Sequence, residues 1–600
     1  MTTHSPTHTF HIPVMGLAFT IDSPIRVAQY GIDSVISIAD DELIEKMNAF
    51  YAKKFQIPYQ EISKKMHDYR AIRITSYLNL VDTVVKEKFE QYKLELANSK
   101  TSLEHFIAML PTKSELKIKL DTFLSEGISC PTQLKNFLEK NLFPGSIDVN
   151  IMTKLDKDNF DKKEQLPVEF NDAHAALRGF ANSTVTSSLV LSAGMNPRLF
   201  SYMEQFDVFF PSLEGKLNKK IILKVSDYRS ALIQGNLLAK KGIWVSEYRI
   251  ESGLNCGGHA FATDGFLLGP ILEEFKQKKS ELIQSTTDLL NKALLAKEKV
   301  VPEQPLPLKI TVQGGVGTAE EHQFLLDYYQ VDSVGWGSPF LLVPEATSVD
   351  QETRDLLANA KESDFYLSNI SPLGVPFNTV RGTTNDFFKT QRIIAEKAGS
   401  SCPKKFLALS KEYDPTGSCT ASKKYQDIKL DELNDRKNEI SLEQFQKEFN
   451  QITEKSCLCV GLANAGYLDL GIPIKGQSQG VVICPGPNLA YFDKEVSLFQ
   501  MVQHIYGKTN ELVAANRPHF FIKELSLYVN YFKNEIDVLE EASAQQQKKV
   551  NQFKLNLLNG IAYYKNLFEN TLYFNEFQNK MIEELNHFEL ELENEKEVVL

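Results

Sequence analysis

Three glycine-bearing segments constrain this chain more than anything else in it: Ser252-Gly-Leu-Asn-Cys-Gly-Gly-His259, Val312-Gln-Gly-Gly-Val-Gly317 and Val334-Gly-Trp-Gly-Ser-Pro-Phe340. Each follows a short β-rich run, so each reads as a loop leaving a strand, and helical sequence separates them. Such loops gather at the C-terminal mouth of a parallel (β/α) barrel. There a backbone without Cβ atoms can approach a phosphate, and a single histidine can face a substrate.

The other apolar runs fit the same frame. The N-terminal unit reads strand, helix, strand: Ile12-Pro-Val-Met-Gly-Leu17, then a short helix with Pro24 just inside and Gly31 at its end, then Ser34-Val-Ile-Ser-Ile38. Further runs follow at 147–152, 188–192, Asp207-Val-Phe-Phe210, Lys220-Ile-Ile-Leu-Lys-Val225, Ile243-Trp-Val-Ser246, Leu308-Lys-Ile-Thr-Val312 and 333–335. They are short, apolar and spaced by helix-length segments, which predicts eight or nine buried parallel strands and an α/β fold, a (β/α)8 TIM barrel. The barrel is expected over 11–398, with helical insertions at about 41–142 and 271–300, the latter a lengthened helix or helical pair. A Cys-containing α+β accessory region is expected over 399–495. From 496 to 600 the chain reads as helical; Leu525, Val529, Phe532, Ile536 and Leu539, three and four residues apart, predict a helical hairpin packed on its own protein or on a second copy.

Composition narrows the class. Six hundred residues, 42% hydrophobic and 24% charged, describe a globular chain with ample core. A formal net charge of -11, with no sustained Lys/Arg stripe, argues against nucleic-acid binding. Residues 1–10 are polar, and no run of eighteen apolar residues occurs, so neither a signal peptide nor a membrane span is expected. Seven cysteines, an odd number, suit a reducing cytoplasm better than a disulfide framework. Cys402, Cys419, Cys457 and Cys459 fall within 58 residues, and thiolates are soft ligands for zinc or an iron–sulfur cluster. Their spacing matches no standard finger, so buried thiols without metal stand as the equal alternative.

The glycine loops resemble those of two related groups of FMN-dependent barrels: the nitronate monooxygenases (2-nitropropane dioxygenase-like proteins) and the trans-acting enoyl reductases of polyketide and polyunsaturated fatty acid synthases. Cys256-Gly-Gly-His259 looks like the Gly-Gly-His loop of those families. Gly314-Gly-Val-Gly317 looks like their phosphate loop, and Gly335-Trp-Gly-Ser338 like the loop closing over its other side. The resemblance covers roughly residues 11–346 and implies an FMN oxidoreductase. It implies phosphate contacts from Gly314, Gly315, Gly337 and Ser338, flavin-ring contacts from Met15, Gly16 and Asn150, and further cofactor contacts from Gly257, Gly258 and Gly335. Lys224, in a Lys-Val-Ser strand, would place a cation near flavin N1, and His259 would act as the acid or base. Cys256 and Trp336 depart from the pattern, so the substrate does not carry over. Oxidation of a nitronate-like carbanion and reduction of an activated double bond on an acyl chain use the same residues, with NAD(P)H or an acyl carrier as the implied partner. A non-catalytic assembly protein built on a barrel is the reading from another class.

Overall fold

The computed structural model describes every residue except 1–5, 126–130, 154, 162–163, 193, 475–479, 514–516, 538–542 and 596–600. Eight strands close into a barrel: β1 Phe10–Ile12, β2 Asp33–Ser37, β3 Ile147–Ile151, β4 Ser188–Leu191, β5 Lys220–Val225, β6 Val245–Glu251, β7 Lys309–Gln313 and β8 Ser333–Gly335. Each is parallel to its neighbours, and they follow one another around the barrel in chain order. This is the (β/α)8 architecture.

Side chains alternate along the strands with period two. Ile36, Val149, Leu189, Leu223, Ile250 and Val312 point outward into the main hydrophobic core against the helices. The inward set is largely polar. At mid-barrel Arg249 pairs with Glu247 at 2.7 Å, Thr311 donates to Glu247 at 2.6 Å, and His11 Nδ1 lies 2.9 Å from Ser333 Oγ. Val35, Val190 and Ile222 form a small separate apolar cluster on the same axis. Ion pairs and hydrogen bonds thus fill space that bulky aliphatic layers occupy in many barrels.

One expected strand is absent. Asp207–Phe209 is a 3-10 turn, because β4 pairs directly with β5 and leaves no open edge between them. Its apolar residues serve as a plug instead: Phe209 is 1% exposed and its ring packs near Phe180 and Phe206.

The first insertion holds five helices between β2 and β3: Asp41–Lys54, Tyr69–Asn98, Lys100–Met109, Glu115–Ser125 and Pro131–Asn141. The outer ones share a second core built on Phe89, Leu96, Leu103 and Phe106. The second insertion is a single helix, Leu268–Ala296. The region read as α+β over 399–495 carries the helices Lys423–Asp435, Leu442–Thr453 and Leu458–Asp469. Its β character among the described residues is two isolated bridges, Ser400 to Ser422 and Ser410 to Ser418. The helix Leu458–Asp469 is buried from Leu458 to Tyr467, as a helix apolar on all sides must be. It reaches the barrel at Gly466, where a Cβ would stand 2.9 Å from that of Ala18.

Three helices end the chain rather than the expected pair: Phe520–Asp537, Ala544–Asn570 and Gln578–Asn594. They pack on one another, with Phe521 stacked on Tyr564 at 4.8 Å, and on their own barrel, with Tyr573 stacked on Phe324 of the helix Ala319–Asp327 at 4.5 Å. Leu539 of the expected apolar seam lies outside the described residues. Among the described residues, no helix is long and apolar enough to cross a membrane.

Candidate active site

The C-terminal ends of the strands surround a cavity of about 340 Å³. All twelve residues singled out for flavin chemistry line it: Met15, Gly16, Asn150, Lys224, Gly257, Gly258, His259, Gly314, Gly315, Gly335, Gly337 and Ser338.

The loops after β6 and β7 interlock, which explains their glycines. A Cβ on Gly315 would lie 2.0 Å from Asn255 Nδ2, and one on Gly314 would lie 2.5 Å from Ser252 Cβ. Both also have positive φ, 79° and 137°. The fit to a polar ligand rests on unmatched atoms. Asn150 Oδ1 and Asn255 Oδ1 are buried at the cavity without a hydrogen-bond partner among the described residues. Such acceptors cost free energy unless a donor meets them, and a flavin ring and its ribityl chain carry donors.

His259 is held by a lid that sequence reasoning missed. Gly258–His259 pairs antiparallel with Phe377–Val380, which pairs with Phe365–Ser368. His259 Nε2 lies 2.7 Å from Ser371 Oγ, and its ring meets Phe377 edge-on at 5.0 Å. Asn378 Nδ2 donates to the carbonyls of Leu254 and Cys256, at 3.1 and 2.6 Å, fixing the loop that precedes the histidine.

Lys224 does not enter the cavity as an isolated cation. Its ammonium pairs with Glu251 at 3.0 Å, and Gln313 Nε2 donates to the same carboxylate oxygen at 2.6 Å. Glu251 has a sequence signal in hindsight: it continues the polar parity of Glu247 and Arg249 along β6.

The far wall comes from the last third of the chain, beyond the reach of the family resemblance. Leu462, Cys484, Gly486 and Asn488 line the cavity. The Gly486 amide donates to Ser338 Oγ at 2.7 Å. A Cβ on Gly257 would sit 2.3 Å from the Cys484 carbonyl oxygen, so that glycine admits the 484–487 turn rather than a ligand. Burial keeps two cavity thiols protonated: Cys484 is pushed up to about 12, and Cys256 lies higher still. Behind the loop after β6, Glu524 accepts from Ser252 Oγ and from the Leu268 amide, and burial raises its carboxyl to about 7.

The four-thiolate site is not assembled. Among the described residues no group of three or more metal-ligating side chains is placed to hold an ion. Cys402 and Cys419 form a small cluster with Ala408 and Ala421, and the Cys419 thiol donates to the Cys402 sulfur, lowering Cys402 and raising itself. Cys457 and Cys459 belong to the main apolar core instead. Burial raises both of their thiols.

No protein-family model matches the chain, and no curated protein matches it. Among solved structures, it is similar to the enoyl reductase domain of MlnA from the macrolactin biosynthesis cluster of Bacillus amyloliquefaciens. That likeness has 15% identity and a TM-score of 0.32, covering 68% of this chain and 87% of the other. The fold itself rests on strand order and register: this is an α/β barrel with a glycine-lined, histidine-bearing mouth.

Proposed function

We propose that the chain is an FMN-dependent oxidoreductase acting on a small molecule, with His259 moving the proton at the reacting carbon. The observation carrying this reading is the convergence of two glycine loops from consecutive strands and a Gly-Gly-His loop on one cavity with unmatched polar atoms. The loops at 314–316 and 335–338, with the Ser338 hydroxyl, would hold the phosphate. Met15, Gly16, Asn150 and Gly258 would border the ring. FMN, when bound, supplies hydride and single-electron exchange.

The chain's own side chains do the rest. His259, oriented through Nε2 by Ser371, takes a proton from carbon next to a nitro or carbonyl group, or returns one. The Lys224–Glu251 pair sets a dipole, rather than a net charge, beside the ring position. Leu373, Val375 and Phe377 of the lid exclude water above it. Oxidation of a nitronate-type carbanion with oxygen is the reaction we assign. Reduction of an activated double bond draws on the same residues and is the alternative outcome of a turnover assay with both substrate classes.

Purified protein is expected to be yellow, to release FMN on denaturation, and to be reduced anaerobically by NADH or NADPH. His259→Ala is expected to keep the flavin and lose turnover. Colourless protein that takes up no added FMN contradicts the proposal and leaves the assembly-protein reading standing.

A further inference from the structure

Gly317 closes the Gly314-Gly-Val-Gly317 loop, and its surroundings set it apart from the two glycines that open it. Its amide donates to Glu321 Oε2 at 2.9 Å, and its carbonyl oxygen lies 3.0 Å from His504 Nε2. A Cβ on it would stand 2.8 Å from Cζ, Nε and Nη2 of Arg517. Gly317 therefore leaves room for a guanidinium. That guanidinium is 5% exposed and fully engaged: Nη1 meets Glu321 Oε1 at 2.6 Å, Nε donates to Asn488 Oδ1 at 2.8 Å, and Nη2 donates to the Gly315 carbonyl at 2.6 Å. Asn488 in turn donates from Nδ2 to the Val316 carbonyl at 3.0 Å. Two successive carbonyls of the loop are thus held by residues from the last third of the chain, Gly315 by Arg517 outside the cavity lining and Val316 by Asn488 in the cavity wall.

A trans peptide sets its N–H opposite its C=O. With the Gly315 oxygen drawn toward Arg517, the Val316 N–H is turned the other way, toward the cavity. Gly314, Gly315 and Val316 line that cavity, whereas Gly317, Glu321 and Arg517 are not among its lining residues. We propose that Arg517 is a positioning residue for recognition of a phosphate monoester: by fixing the Gly315–Val316 peptide, it presents the Val316 amide to the anion. This deepens the flavin reading of the site and rests on it. Arg517 acts through geometry rather than net charge, since Glu321 neutralises it at 2.6 Å.

The experiment compares FMN with riboflavin, which has the same ring and no phosphate, on flavin-freed full-length protein. Wild type is expected to bind FMN more tightly than riboflavin. Arg517→Met is expected to weaken FMN at least about tenfold and to leave riboflavin unchanged, the loss of a charge-assisted fork being worth that much. Equal weakening of both ligands, or no weakening of FMN, overturns the proposal. Amide hydrogen exchange on wild type needs no variant and covers the case in which Arg517→Met does not fold. FMN is expected to slow exchange at Val316 and leave Gly317 unchanged, with riboflavin slowing neither; equal protection of Val316 by both ligands overturns the proposal. Wild type that binds neither ligand refutes the flavin reading itself, a result distinct from any difference between wild type and variant.

Discussion

Gly257 and Gly258 are adjacent and serve different ends. Gly257 faces the Cys484 carbonyl with no room for a methyl group, while Gly258 has φ 77° and open space where a Cβ would go. Gly258→Ala is expected to cost about 1 kcal/mol from left-handed strain alone. Gly257→Ala must push the 484–487 turn aside and is expected to cost roughly 1–3 kcal/mol; thermal melts of the two variants check the order. Ser371 is fully buried and touches His259, so Ser371→Ala is expected to lower kcat while leaving FMN affinity unchanged. A matched loss of FMN affinity would contradict that assignment. The cavity-lining glycines and His259 stood out in the sequence because glycine and histidine have narrow uses after a strand. Ser371, Asn378, Asn488 and Arg517 were not, since each acquires its role from a partner more than a hundred residues away.

At the level of elements, most barrel strands announced themselves by apolar runs, but their inner faces did not. Ile147-Asp-Val-Asn-Ile151 and Lys309-Ile-Thr-Val-Gln313 alternate polar and apolar residues, and that period carries the polar lining of the barrel. Read only for hydrophobicity, the same criterion accepted Asp207–Phe209, whose phenylalanine fills a gap beside Phe180. The two-residue strand Gly258–His259 is too short for any periodicity to mark it. Lys224 and Glu251 stand across the β5–β6 pair, so removing one leaves the other's charge half-buried at the cavity. Lys224→Met and Glu251→Gln are each expected to destabilise more than the two together, with a coupling of about 0.5–3 kcal/mol in a double-mutant cycle. Additive effects would show that the pair is screened by water.

Across the whole molecule, burial holds His8 and His519 down to about 4 and His322 to about 3, and places His11 well below its usual value. Groups depressed in this way contribute stability that is complete above pH 6.5 and is lost as pH falls toward 4. Glu524, raised to about 7, and Asp148, raised to about 6, act in the opposite sense, losing their contribution as pH rises through those values. Four histidines outweigh two carboxyls, so stability is expected to fall by a few kcal/mol between pH 7 and 5; a flat Tm over that interval would contradict the neutral buried histidines. The main apolar core runs from Phe10 to Leu592, and the C-terminal third supplies both the far wall of the cavity and the Arg517 clamp. That role was illegible in the sequence, where the region carries no loop of the resembled kind. The most direct test of the account is a crystal structure of the full chain grown with FMN. The expected density places the phosphate between the 314–316 and 337–338 loops, with the ring beside Met15 and Asn150 and facing His259. Flavin bound elsewhere, or a phosphate apart from both glycine loops, would contradict it.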